Sequence, residues 1–291
     1  MPTRRLVFLG TPEMAVPPLR ALHAAGHEIA LVVTGADRRR GRGGATSPTP
    51  VASAAAELGL PVSHRVDDVL TTDAELGVVV AFGRLIRPHV LAALPMVNMH
   101  FSLLPRWRGA APVERALLAG DRVTGVCIMA VDETLDTGAV YRRAEVPIGD
   151  RVTAAQLRDD LVDVGTRLLV DVLAGDLPIP EPQVGEPSYA AKLTPDEWRL
   201  DWSTPAVQVD RWVRAGESWT TFRGERLSVV AADPVDGPGA LGAGELTADG
   251  VVGTGAGALR LRIVRPAGKR AMPWRDFANG ARPRPGERLG E

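Results

Sequence analysis

Short, wholly apolar runs alternate along the first half of the chain with longer segments of helical spacing. Leu6-Val7-Phe8-Leu9 ends in Gly10, the pattern of a strand buried on both faces of a parallel sheet. Thr11-Pro12-Glu13 supplies an N-cap, an N1 proline and a first-turn acid for a helix that Gly26 closes. A strand over 29–34, a loop over 35–48, and a helix opened by Thr49-Pro50 and closed by Gly59 follow. Strands are then predicted over 78–82, 96–100, 123–131 and 141–146, and helices over 87–94, 110–119 and 154–173. This βαβ order predicts an open, mostly parallel sheet with helices on both faces.

The pattern changes beyond Gly175. Pro178, Pro180, Pro182 and Pro187 cannot continue a helix and read as a linker. Thr204-Pro205 opens another helix, to about Arg214. Short alternating stretches over 220–222, 226–231, 240–246, 250–253 and 259–264 follow, separated by Gly and Asp turns, as in a small antiparallel barrel. The Pro-, Gly- and Arg-rich tail from Arg282 reads as loosely held.

At 291 residues the chain fits two domains, and its composition is that of a soluble globular protein. One cysteine, Cys127, excludes an intramolecular disulfide, and five scattered histidines without ligand spacing give no metal site. The apolar run near the start is too short for a signal peptide, and no segment reaches the length of a membrane span, so a cytoplasmic location is expected. From Pro205 onward there are 13 Lys/Arg against 10 Asp/Glu, and before it 21 against 25, a split compatible with a weak grip on RNA.

Candidate chemistry gathers in Asn98-Met99-His100-Phe101-Ser102-Leu103-Leu104-Pro105. On a strand, Asn98 and His100 project from one face, and a polar pair at the end of a buried strand is costly unless satisfied or used. Some thirty residues on, Asp136 sits in Thr134-Leu135-Asp136-Thr137-Gly138, a loop between two apolar runs. Amide, imidazole and carboxylate together suit acyl transfer to an amine. Each also has a structural explanation: a core histidine bonded to a carbonyl, and an Asx-turn at Asp136. Gly10-Thr11-Pro12-Glu13-Met14 lacks the glycines of a dinucleotide-binding turn, and no phosphate-binding P-loop is present.

The strings NMHFSLLPRWRGAAP (98–112) and ETLDTG (133–138) resemble the signature of the methionyl-tRNA formyltransferases. FLGTPEMAVPPL near the start and PAGKRAM at 266–272 extend the resemblance over nearly the whole chain. It implies a Rossmann-like catalytic domain over 1–187, a linker spanning about 176–204, and an OB-like tRNA-binding barrel over 205–291. It implies transfer of formyl from 10-formyltetrahydrofolate, without a metal, to initiator methionyl-tRNA, by a monomer with no membrane partner. Asn98, His100 and Asp136 would be catalytic. The folate would meet Ser102, Leu103, Leu104 and Pro105, partly through their backbone, and Phe82, Gly83 and Leu85 of a pterin pocket. Arg42, Lys269 and Arg270 would contact tRNA. The family more often has Tyr at Phe82, further basic residues where Gly43-Gly44-Ala45-Thr46 stand, and a longer turn at 216–219. Two other readings fit the residues: formylation of a small amine or hydrolysis of the folate, and a non-catalytic RNA-binding module.

Overall fold

Arg5–Gly10 (β1) is apolar at almost every position and lies in the interior of a seven-stranded sheet. A computed structural model describes residues 3–39, 46–235, 241–284 and 286–291. These fall into two compact units. The first holds the chain up to Val113, with Arg122–Ile148 and Leu157–Ala191. The second holds Lys192–Glu291, with Glu114–Asp121 and Gly149–Gln156.

In the first unit β1 leads to α1 (Val16–Ala24), β2 (Glu28–Val33), α2 (Pro50–Glu57) and a short edge strand, β3 (Val62–Ser63). The chain then returns to the other side of β1 with β4 (Leu76–Val80), α3 (Pro88–Ala93) and β5 (Met96–His100). Beyond them come β6 (Val123–Ala130), β7 (Val140–Pro147) and most of α5 (Ala154–Leu173), while α4 (Pro112–Ala119), which precedes β6 in the chain, belongs for the most part to the second unit. The spatial order is β7-β6-β5-β4-β1-β2-β3. The five strands from β5 to β3 are parallel, and β6 and β7 are antiparallel to their neighbours. Val7, Leu9, Leu31, Val33 and Val79 pack with Val90 of α3, while the alternate positions Leu6, Phe8 and Val32 are buried too. Both faces of the sheet are therefore covered, as a parallel sheet requires. Strand order reverses between β1 and β4, the switch point beside which open α/β sheets bind their ligands.

The second unit contains α6 (Ala206–Ala215) and an antiparallel sheet of β8 (Trp219–Phe222), β9 (Glu225–Val235), β10 (Val251–Gly253) and β11 (Ala258–Pro266). A two-residue strand, β12 (Met272–Pro273), pairs with β11 and runs into α7 (Trp274–Ala281). Trp202, Val209, Val213, Phe222, Leu261 and Trp274 are among the side chains of its core. Asp210 is buried on α6 between Arg151 and Arg214, each at 2.8 Å.

Several expected features differ. Thr11 does not cap α1: its hydroxyl accepts from the Gly35 N–H, and a 3₁₀ turn at Glu13–Ala15 precedes a helix that begins only at Val16. Thr49 does cap its helix, accepting from the Ala52 N–H at 3.1 Å. Ala240 lies outside the described residues, and Leu241 to Leu246 do not form a strand. Gly244 is left-handed there, and only isolated bridges to Arg288 and Val252 form. The tail is tied down rather than loose, because Leu289 is only 3% exposed and Arg223 grips Glu287. No described helix is long and apolar enough to cross a membrane.

Candidate active site

β5 ends at His100, at the carboxyl edge of the parallel strands. Its neighbour β4 ends at Val80, paired with Met99, so the loops after both strands leave the same edge of the sheet. His100 is nearly buried, with its side chain 7% exposed. A ring nitrogen, Nε2, lies 2.7 Å from the Trp107 carbonyl. A carbonyl only accepts, so Nε2 carries the hydrogen and the neutral ring has its free lone pair on Nδ1. Nδ1 faces Asp136 Oδ1 at 3.7 Å. The Trp107 peptide is held by Ser102, whose hydroxyl donates to its carbonyl and accepts from its N–H, both at 3.0 Å.

Asp136 approaches from the loop between β6 and β7, with its side chain 10% exposed. Its other oxygen, Oδ2, accepts from the Gly109 N–H at 2.8 Å. Gly109 has φ +116°, and a Cβ there would come within 2.9 Å of the Ala190 carbonyl. Gly138 is required as strictly, since a Cβ would overlap the Ala130 carbonyl at 1.9 Å. Asp136 itself is left-handed, at φ +53°. Asn98, on the same face of β5 as His100, is half-buried, and among the described residues its amide has no hydrogen-bond partner. His100 and Asp136 thus come together, with one imidazole nitrogen anchored and the other turned to a carboxylate, and Asn98 lies two residues before His100 on the same strand face.

The surrounding residues divide. Ser102 and Leu104 are buried, Ser102 engaged with Trp107 and Leu104 packed with Cys127, Met129 and Val140. Leu103 and Pro105 are half-buried. A ligand at this loop would therefore meet backbone more than the Ser102 or Leu104 side chains. In the loop after β4, Phe82 is buried in the core beside Ile86, Gly83 is exposed and left-handed, and Leu85 is 79% exposed. Phe82 and Leu85 flank the chain's exit from the switch point, one as a core wall and one as an apolar lip. Arg106 stacks over the Trp107 ring at 4.0 Å. Burial raises the Cys127 thiol above its ordinary value, so this cysteine stays protonated and is no nucleophile.

Lys269 belongs to the second unit, where it lines a shallow cleft of about 370 Å³ with Arg226, Ser228 and Arg265. Arg270 follows it, exposed. Arg42 lies outside the described residues, between the paired dipeptides Arg38–Arg39 and Thr46–Ser47. Among the described residues no group of His, Cys, Asp and Glu is placed to hold a metal.

Sequence reasoning misses Gln183. It sits in the proline-rich segment, donating to the carbonyls of Asp136 and Gly138 and accepting twice from Arg108. Nothing in the periodicity marks it, because an isolated amide between prolines looks like solvated linker.

The formyl transferase family model matches residues 4–173, and the model of the formyl transferase C-terminal domain matches 192–282. A methionyl-tRNA formyltransferase from Thermobifida fusca is 45% identical over 99% of both chains. Among solved structures, HypX from Aquifex aeolicus in complex with tetrahydrofolic acid superposes with TM-score 0.67 at 18% identity, over 95% of this chain and 47% of that one. The sugar 3N-formyl transferase WlaRD, solved in the presence of dTDP and 5-N-formyl-THF, gives 0.69 at 13% identity, over 93% and 100%. The two solved structures show a shared fold, whereas identity of this level along the full length shows descent. The chain belongs to the methionyl-tRNA formyltransferase family.

Proposed function

We propose that this protein transfers the formyl group of 10-formyltetrahydrofolate to the α-amino group of initiator methionyl-tRNA, acting as a cytoplasmic monomer. The observation that carries the reading is the meeting of His100 and Asp136 at the carboxyl end of β5, with Asn98 on the same strand face as His100, within the matched formyl transferase region. The folate is the formyl donor. The exposed Leu85, the buried Phe82 and the backbone of 102–105 all follow strands that end beside the switch point, which suits a flat heterocycle entering that edge.

The chemistry follows from the geometry. A free α-amino group titrates near roughly pH 8 and esterification lowers this, so the acceptor needs little activation. Its nitrogen attacks the formyl carbon, and the unpartnered Asn98 amide donates to the oxyanion that forms. Nδ1 of His100 receives the amine proton. Asp136 stabilises the imidazolium, which then donates to the same oxyanion or returns the proton to folate N10 as the C–N10 bond breaks. The products are tetrahydrofolate and N-formylmethionyl-tRNA. The Gly109 N–H keeps Asp136 aimed at the ring, and the Trp107 carbonyl keeps the ring in one tautomer.

The acceptor RNA is held by the second unit, an OB-like barrel over 205–291 in this reading. Lys269 and Arg270 contact its phosphates, supported by the cationic cleft beside Lys269. Arg42 reaches the acceptor arm. Transfer of labelled formyl to charged initiator tRNA, elongator methionyl-tRNA and an amino-sugar nucleotide tests the proposal. Preference for the initiator supports it. Transfer to the amino sugar with none to either tRNA would overturn it.

A further inference from the structure

The proline-rich segment read as a linker is a strap across both loops of the site. Glu181 and Val140 exchange backbone hydrogen bonds at 2.8 and 2.9 Å, fixing the strap to the start of β7. Further along, the Ser188 carbonyl accepts from the Arg108 N–H, and the Ala190 carbonyl accepts from those of Ala110 and Ala111. Between these anchors Gln183 uses its whole amide. Its Nε2 donates to the carbonyls of Asp136 (2.8 Å) and Gly138 (2.9 Å), and its Oε1 accepts from Arg108 Nε (3.0 Å) and Nη2 (2.7 Å). Arg108 lies on the loop that leaves His100, and Asp136 lies on the loop that faces it.

We propose that Gln183 is a positioning residue of the formyl transfer, holding the Asp136 loop in register with the His100 loop. The proposal rests on the catalytic reading of Asp136. At φ +53° Asp136 occupies a backbone region that non-glycine residues adopt only when the surroundings enforce it. The flanking carbonyls are the handles, and Gln183 holds both. Released, the Asp136 peptide relaxes toward the right-handed region and carries the carboxylate away from Nδ1. The backbone anchors at Glu181 and Ser188 do not involve the Gln183 side chain, so the strap and the fold persist without its amide.

Two variants separate the hydrogen bonds from bulk. Gln183→Met keeps the length and removes every bond. Gln183→Glu keeps the shape and the attraction to Arg108, but turns an acceptor toward two carbonyls. Both are expected to lower kcat about ten- to a hundred-fold, the scale of a misplaced catalytic group, with KM for folate and tRNA nearly unchanged. Placed in an Asp136→Asn background, Gln183→Met is expected to lower kcat no further, because the group it positions is already neutral. A folded Gln183→Met protein with wild-type kcat overturns the proposal, and so does a fall in the Asp136→Asn background as large as in the wild type. Wild-type turnover by Asp136→Asn alone would instead overturn the catalytic reading of Asp136, and the role of Gln183 with it.

Discussion

Nε2 of His100 donates to the Trp107 carbonyl at 2.7 Å, and this one bond decides which ring nitrogen keeps its lone pair. A histidine free to choose its tautomer would divide its population between two. Here the hydrogen is committed on the Trp107 side, and the lone pair on Nδ1 faces Asp136. The carbonyl that enforces this is itself held by Ser102.

Ser102→Ala follows directly from that arrangement. It removes the hydroxyl that donates to the Trp107 carbonyl and accepts from the Trp107 N–H, two hydrogen bonds worth about 0.5–1.5 kcal/mol each. Urea denaturation should show that loss, and kcat should fall with it. Stability and kcat both equal to wild type would show that the Trp107 peptide is fixed by other interactions.

His27 gives the first unit a sensitivity to acid. Burial, aided by the Arg4 charge and opposed by Glu75, holds its imidazole below the ordinary value of 6.5, and Nδ1 accepts from the Arg4 N–H. The unfolded chain therefore binds this proton more readily than the folded one. The contribution of neutral His27 is complete above pH 6.5 and declines as pH falls below it toward the folded value. Denaturation at pH 7.5 and 5.5 should show a larger acid loss for wild type than for His27→Asn. Equal losses would assign the acid sensitivity to other groups.

Leu289 tests whether the tail is structural. Its side chain belongs to the core of the second unit, with Trp202, Phe222 and Trp274. Leu289→Ala should cost about 2–5 kcal/mol, as for other buried leucines. A change within about 0.5 kcal/mol, typical of an exposed position, would mean the tail is loose in solution.

Lys269→Ala combined with Arg270→Ala should weaken tRNA binding and flatten its salt dependence, by about one unit of log–log slope for each phosphate no longer neutralised. Turnover at saturating tRNA should hold. An unchanged slope would assign the RNA grip to other residues.

The sheet and the pairing of Asn98 with His100 on one strand face were legible because buried strands leave periodic traces, whereas Asp136 stood out only through the family resemblance of its loop. Val78 to Val80, Met96 to His100 and the α5 helix all appear in the pattern of apolar positions. What was not legible depends on distant partners. Thr11 reads as a cap until Gly35 takes its hydroxyl, and Gln183 reads as linker until Asp136 and Arg108 close on it. Leu289 sits among Pro, Gly and Arg residues, so local composition hides a core side chain. Nor does local sequence show that the Ser102 and Leu104 side chains are buried in the protein itself, which leaves the backbone of their loop to meet a ligand.

The central claim, that the His100 ring facing Asp136 moves the proton of formyl transfer, meets its most direct test in single-turnover formylation of charged initiator tRNA by folded His100→Ala protein. The account predicts a rate lower by about 10²–10³, with the circular dichroism spectrum of the wild type and folate binding retained. A wild-type rate from that protein would contradict it.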